Sequence, residues 1–207
     1  MHEQARGTVV GLSVVGMPAG QLARRQRIVK AALHALQEQE YEQIQIRDVA
    51  QAAEVALGTL YRYFSSKEHL YAAVLQDWAA FGRAEEPRSD DLSAEERVRA
   101  RVHSIIRAFE RKPQFYKVHV LLQTSTDANA KLLLAEFAET GLASLTREFD
   151  RLGPGEAEDA AIMLWSIINT MVTQVIYRDP VAERIAGLSK VHRIADRMID
   201  LLAPGLR

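Results

Sequence analysis

The stretch "IRDVAQAAEVALGTLYRYF", residues 46 to 64, constrains this chain more than any other. Ile46, Val49, Ala50 and Ala53 fall at helical steps and predict a short helix from about Ile46 to Ala53. A second short helix follows the "EVALG" break and runs through Phe64. Two short helices joined by a tight turn make a helix-turn-helix candidate. At 100° per residue, Leu57, Leu60, Tyr61 and Phe64 share the inward arc of the second helix. Gly58, Thr59 and Arg62 take the opposite side, with Tyr63 at the margin.

Those outward residue types suit the edge of a DNA duplex. Gly58 lets backbone approach closely, and Thr59 offers a methyl and a hydroxyl to a base edge. Arg62 can donate a bidentate pair to guanine. Tyr61 and Tyr63 flank that face, where phenolic hydroxyls reach phosphate oxygens. Lys67, and Arg47 at the start of the preceding helix, are further phosphate candidates. Upstream, Ile28, Ala32, Ala35 and Leu36 form the apolar stripe of a helix with Arg24, Arg25, Arg27 and Lys30 at its start and other sides. Residues 21–70 hold seven Lys or Arg and six Asp or Glu, so local charge is weak and DNA binding needs two copies of the module.

The whole chain, 207 residues with 26 basic and 27 acidic side chains, is no electrostatic magnet for nucleic acid or lipid either. With 48% hydrophobic residues it can bury a core. It has no cysteine, which removes disulfides, thiolate metal sites and cysteine nucleophiles, and fits a cytoplasmic protein. No unbroken apolar run approaches the length of a membrane span, so no membrane partner is expected. Residues 1–20 read as a flexible arm in which Met17 is a possible start.

"SSKE" at 65 to 68 reads as a capping box between Ser65 and Glu68, opening a helix to about Ala80. "RAEEPRSDD", residues 83–91, reads as a linker. Ser93 and Glu96 repeat the cap pattern before a helix ending near Arg111. Further helices are expected over 113–123, 128–151, 156–177 and 185–202, and no alternating strand pattern of useful length occurs. The fold class is therefore all-α, with a helix-turn-helix domain over 21–67 and a larger helical body over 68–207.

The run "IRDVAQAAEVALGTLYRYFSSKEHLYAAVL" strongly resembles the helix-turn-helix of the tetracycline-repressor (TetR) family of bacterial transcription regulators, over roughly Ile28 to Leu75. "VALGTLYRYF" looks similar to actinobacterial repressors of sterol catabolism. Two positions depart from the usual pattern: Glu54 replaces a turn glycine, and Ala56 replaces a capping serine. The resemblance implies a homodimer on a palindromic operator, a helical body that binds a small-molecule effector, and no cofactor.

Within that body, Phe115, Tyr116, His119 and Gln123 on one helix, and Trp165, Asn169 and Thr173 on another, are the candidate ligand residues. They suggest a hydrophobic effector with a polar end. Leu164, Ile168, Val172 and Val175, with Ile194, Met198 and Leu201, are the expected dimer face. An enzyme is not expected: H-E-x-x-H, Glu-x-x-His and the phosphate-cradling G-x-x-x-x-G-K-[ST] are missing, and "GLSVVG" lacks the spacing of a nucleophile elbow. No metal is expected, since His103, His119 and His192 lack ligand spacing. The competing reading is a helical small-molecule-binding or interaction adaptor without DNA function.

Overall fold

The computed structural model describes residues 16–84, 92–177 and 181–206. Most of the arm expected at 1–20 and of the linker at 83–91 lies outside them. Nine α-helices and two single 3₁₀ turns, with no strand, make up the described residues. They fall into two compact units. One runs to Trp78 and takes in Leu121–Ala135; the other comprises Ala79–Val120 and Glu136–Arg207.

In the first unit, α1 (Ala19–Glu38) buries Ile28, Val29, Ala32 and Leu36 along one stripe. After a 3₁₀ turn at Tyr41–Gln43 come α2 (Ile46–Ala52) and α3 (Leu57–Tyr63), each packed on its predecessor or on α1. Between them the chain reverses through a Schellman-type turn: Glu54 N–H donates to Gln51 at 3.0 Å and Val55 N–H to Ala50 at 3.0 Å. That geometry puts Glu54 at φ 54°, the left-handed region glycine favours. Ala56 then precedes α3 with no side-chain cap.

The start of α4 (Lys67–Ala84) differs from the expected capping box. Ser66, not Ser65, caps it, its Oγ accepting from His69 N–H at 3.0 Å. The His69 ring replaces the glutamate: its Nδ1 accepts from Ser65 N–H at 3.1 Å. Ser65 Oγ, itself 3.1 Å from that ring nitrogen, donates to Asp127 Oδ2 at 2.8 Å and accepts from Asn129 Nδ2 at 3.0 Å. Asp127 also caps α7 (Ala128–Thr146), accepting from Ala130 N–H at 2.9 Å. Gln76 adds a bond to the Leu133 carbonyl at 3.1 Å. These contacts bring the start of α7 into the first unit, a grouping that a linear division at 67/68 does not contain.

In the second unit, α5 (Ala94–Arg111) opens with the expected Ser93–Glu96 capping box and buries Val98, Val102, Ile106 and Phe109. It packs on α9 (Val181–Leu206), which buries Leu188, Val191, Ala195 and Ile199. Arg99 ties the edge of that seam, reaching Asp196 at 2.8 Å, Asp200 at 2.7 Å and Glu95 at 3.0 Å. The helix expected over 128–151 tightens after Thr146 into a 3₁₀ turn at Arg147–Phe149, with Phe149 fully buried. Helix α8 (Pro154–Ile176) packs on α9 so closely that a Cβ on Gly187 would sit 2.6 Å from a Val175 methyl carbon. By length and composition alone α8 could cross a membrane; Leu164, Ile168 and Val172 on it are buried, while Ile162, Met163 and Ile167 are exposed.

Candidate nucleic-acid interface and ligand cavity

Helix α3 turns out to be phased differently from its sequence reading. Leu60 and Tyr63, at 0% and 5% exposure, hold it to the first unit's core, while Leu57 and Tyr61 are exposed at 41% and 45%. The cause lies at Phe64, which is buried but extended (φ −132°, ψ 116°) and so does not continue the helical phase. Tyr61 therefore stands on the outer surface, and Tyr63 is corrected from a candidate DNA contact to a core residue.

Gly58 and Arg62 are exposed and Thr59 is half-buried. Nothing lies within 4 Å of where a Gly58 Cβ would be, so no intramolecular packing demands glycine there. Arg47 is also outward, its side chain 80% exposed and only loosely near Asp48 at 3.9 Å. Lys67 is committed elsewhere. Its Nζ donates to the carbonyls of Tyr41 and of Ile44, the latter at 2.8 Å, and lies 4.2 Å from the Tyr41 ring centroid. Burial lowers its pKa, opposed by Glu42 and Glu68. This lysine closes the loop ahead of α2, a role its position in the sequence does not signal.

Arg25, which sequence reading placed only in a basic helix start, lies 5.2 Å from the Phe64 ring centroid. Burial lowers its pKa, and Asp77 opposes that. It steadies the residue at which α3 ends.

The second unit holds a small apolar cavity of about 10 Å³, roughly one water in size. Its walls include Tyr116 and His119 of α6 (Pro113–Leu122), and Trp165, Ile168, Asn169 and Val172 of α8. Tyr116 Oη lies 2.6 Å from Asn169 Oδ1, 2.7 Å from the Asn169 carbonyl and 2.9 Å from Thr173 Oγ1. Burial pushes that phenol up to about 12. Burial also brings the His119 imidazole down to about 4, so it is neutral at physiological pH, between Tyr116 and Phe137.

Of the predicted ligand residues, Tyr116, His119, Trp165 and Asn169 thus meet at one cavity, and Thr173 supports it through Tyr116. Phe115 is buried but is not among its lining residues, and Gln123 belongs to the first unit. Sequence reading missed Ile105, Phe109 and Phe137, whose apolar character alone does not separate a cavity wall from packed core. None of the cavity-lining residues is a lysine or arginine. Among the described residues no cluster of histidine and carboxylate side chains could hold a metal.

A short exposed helix that follows another across a tight turn has the geometry of a helix-turn-helix. Residues 28–74, about a quarter of the chain, match the family described as bacterial regulatory proteins, tetR family. It is similar to the transcriptional repressor KstR of Mycobacterium tuberculosis (strain H37Rv), 36% identical over 124 residues, or 59% of this chain and 56% of that protein. KstR of Rhodococcus jostii (strain RHA1) is 51% identical over 55 residues, 27% of this chain and 26% of the relative. The chain thus spans about half, or less, of the length of these curated relatives. Among solved structures, a TetR regulator from Rhodococcus sp. RHA1 shares the fold with a TM-score of 0.68 at 22% identity, covering 86% of this chain and 97% of that one. FadR from Bacillus subtilis in complex with stearoyl-CoA has a TM-score of 0.58 at 19% identity, over 88% of this chain and 99% of the other.

Proposed function

We propose that this protein is a ligand-responsive transcriptional repressor of the cytoplasm. A homodimer places two α3 helices in successive major grooves of a palindromic operator, and a hydrophobic small molecule entering the second unit lowers its affinity. The observation that carries this reading is the joint outward presentation of Gly58, Tyr61 and Arg62 on α3. In the groove Arg62 donates to a guanine edge, Thr59 meets a neighbouring base, and Tyr61 and Arg47 reach phosphates. The likeness to KstR supports a repressor, and the stearoyl-CoA bound by the FadR neighbour supports an effector with a long apolar part.

The cavity's chemistry narrows the effector further. With no cation in its walls and His119 neutral, the buried portion of the ligand is uncharged, and a lone oxygen on it bonds to Tyr116, Asn169 or Thr173. At about 10 Å³ the cavity is far below the roughly 300 Å³ of a ligand pocket, so binding must part α6 from α8. That expansion is the conformational change that ligand binding drives.

Gly58→Ala tests the DNA side. The added methyl has open space in the free protein, so stability holds or rises by up to about 1 kcal/mol through helix propensity. On an operator selected from random duplexes, the same methyl meets a base edge and affinity falls at least about tenfold, a loss of about 1.4 kcal/mol. Unchanged affinity would place the DNA contact elsewhere.

A further inference from the structure

The outer surface of α3 carries two parallel rows, each spaced four residues apart. Gly58 and Arg62 form one. Leu57 and Tyr61 form the other, and both are large, apolar in body and more than two-fifths exposed. A lone leucine on a surface is ordinary. Two such side chains filling one row of a seven-residue helix, beside a glycine that opens the approach, are a surface made for contact. The interior has no use for them, since Leu60 and Tyr63 occupy that side.

The floor of the major groove offers one apolar feature, the 5-methyl group of thymine. We infer that Leu57, backed by the ring of Tyr61, is a specificity-determining residue that selects thymine in each operator half-site through that methyl. The inference rests on α3 being the DNA-facing helix. Leu57 and Arg62 are five residues apart, a rise of about 7.5 Å along the helix, just over two base-pair steps of about 3.4 Å. The thymine therefore lies within about two base pairs of the guanine read by Arg62. Tyr61 closes the apolar seat with its ring while its hydroxyl stays free for a phosphate.

The test uses the full chain and an operator recovered from a random duplex pool. Each thymine of a half-site is replaced in turn, symmetrically, by deoxyuridine, which deletes one methyl and keeps every hydrogen bond. Binding is read by fluorescence anisotropy at fixed salt. Removing a methyl contact costs about fourfold per half-site, hence about fifteenfold for the pair, at one position only. Leu57→Ala is expected to bind thymine and uracil operators equally, while Leu57→Met, which keeps apolar reach, retains the preference. Circular dichroism checks that both variants fold. If the wild type binds all substituted operators alike, or if Leu57→Ala keeps the full methyl dependence, the inference is overturned and the DNA-binding reading stands. Failure to recover any operator would overturn both.

Discussion

At the scale of single residues, several side chains hold states that sequence alone could raise but not settle. Glu54 is the non-glycine residue at positive φ among those described, and a side chain there costs energy. Glu54→Gly is expected to raise stability by about 0.5–1 kcal/mol in urea unfolding, leaving α3 in place. His119 carries a pH dependence. Its folded pKa of about 4 lies below the ordinary 6.5, so the unfolded chain binds the proton more readily. Its contribution is complete above about pH 6.5 and is lost as pH falls towards 4. Between pH 7.5 and 5.0 the wild type should lose about 2 kcal/mol more than His119→Phe, which keeps the ring between Tyr116 and Phe137. An equal loss in both would show that His119 does not carry it.

At the scale of helices, ends and phases decide more than interiors. The Ser93–Glu96 box formed as its spacing predicts, whereas the same spacing at Ser65 and Glu68 did not. Two adjacent serines offer two registers, and His69, brought against Phe64 at 5.3 Å between ring centroids, favours the second. Ser66→Ala should therefore cost about 1 kcal/mol in thermal unfolding, and Glu68→Ala about half of that or less. The α8–α9 contact is equally specific. Gly187→Ala forces a methyl against Val175 and should destabilise by about 1–3 kcal/mol, seen as a lowered urea midpoint. Helix existence was legible in the 3.6-residue spacing; the phase of α3 was not. Just under two turns leave the apolar arc ambiguous between Tyr61 and Tyr63, and the extended backbone at Phe64 resolves it.

At the scale of the molecule, the expected dimer face needs redrawing. Leu164, Ile168, Val172 and Val175 are spent in the protomer's own core. On α9 the expected Leu201 is exposed, as is Ile185, while on α8 the exposed apolar residues are instead Ile162, Met163 and Ile167. If these form the dimer contact, Ile185→Glu with Leu201→Glu, at 61% and 81% exposure, leaves the fold intact and yields a monomer by sedimentation. Such a monomer loses most of its operator affinity, because one recognition helix brings too little charge and contact. A dimer that survives both changes would move the interface off this face.

By itself the sequence determined the all-helical class, the tight turn with its misfit Glu54, the uncapped start of α3 and the outward Gly58 and Arg62. Each follows from spacing or chemistry within a few residues, where the backbone's own periodicity governs. Only the tertiary structure decided that Tyr63 is core, that Lys67 is taken up by the Tyr41 and Ile44 carbonyls, and that the start of α7 joins the first unit. It also chose which apolar residues line the cavity. Those outcomes depend on partners tens of residues apart, and buried polar groups settle on whichever donor or acceptor packing brings within reach.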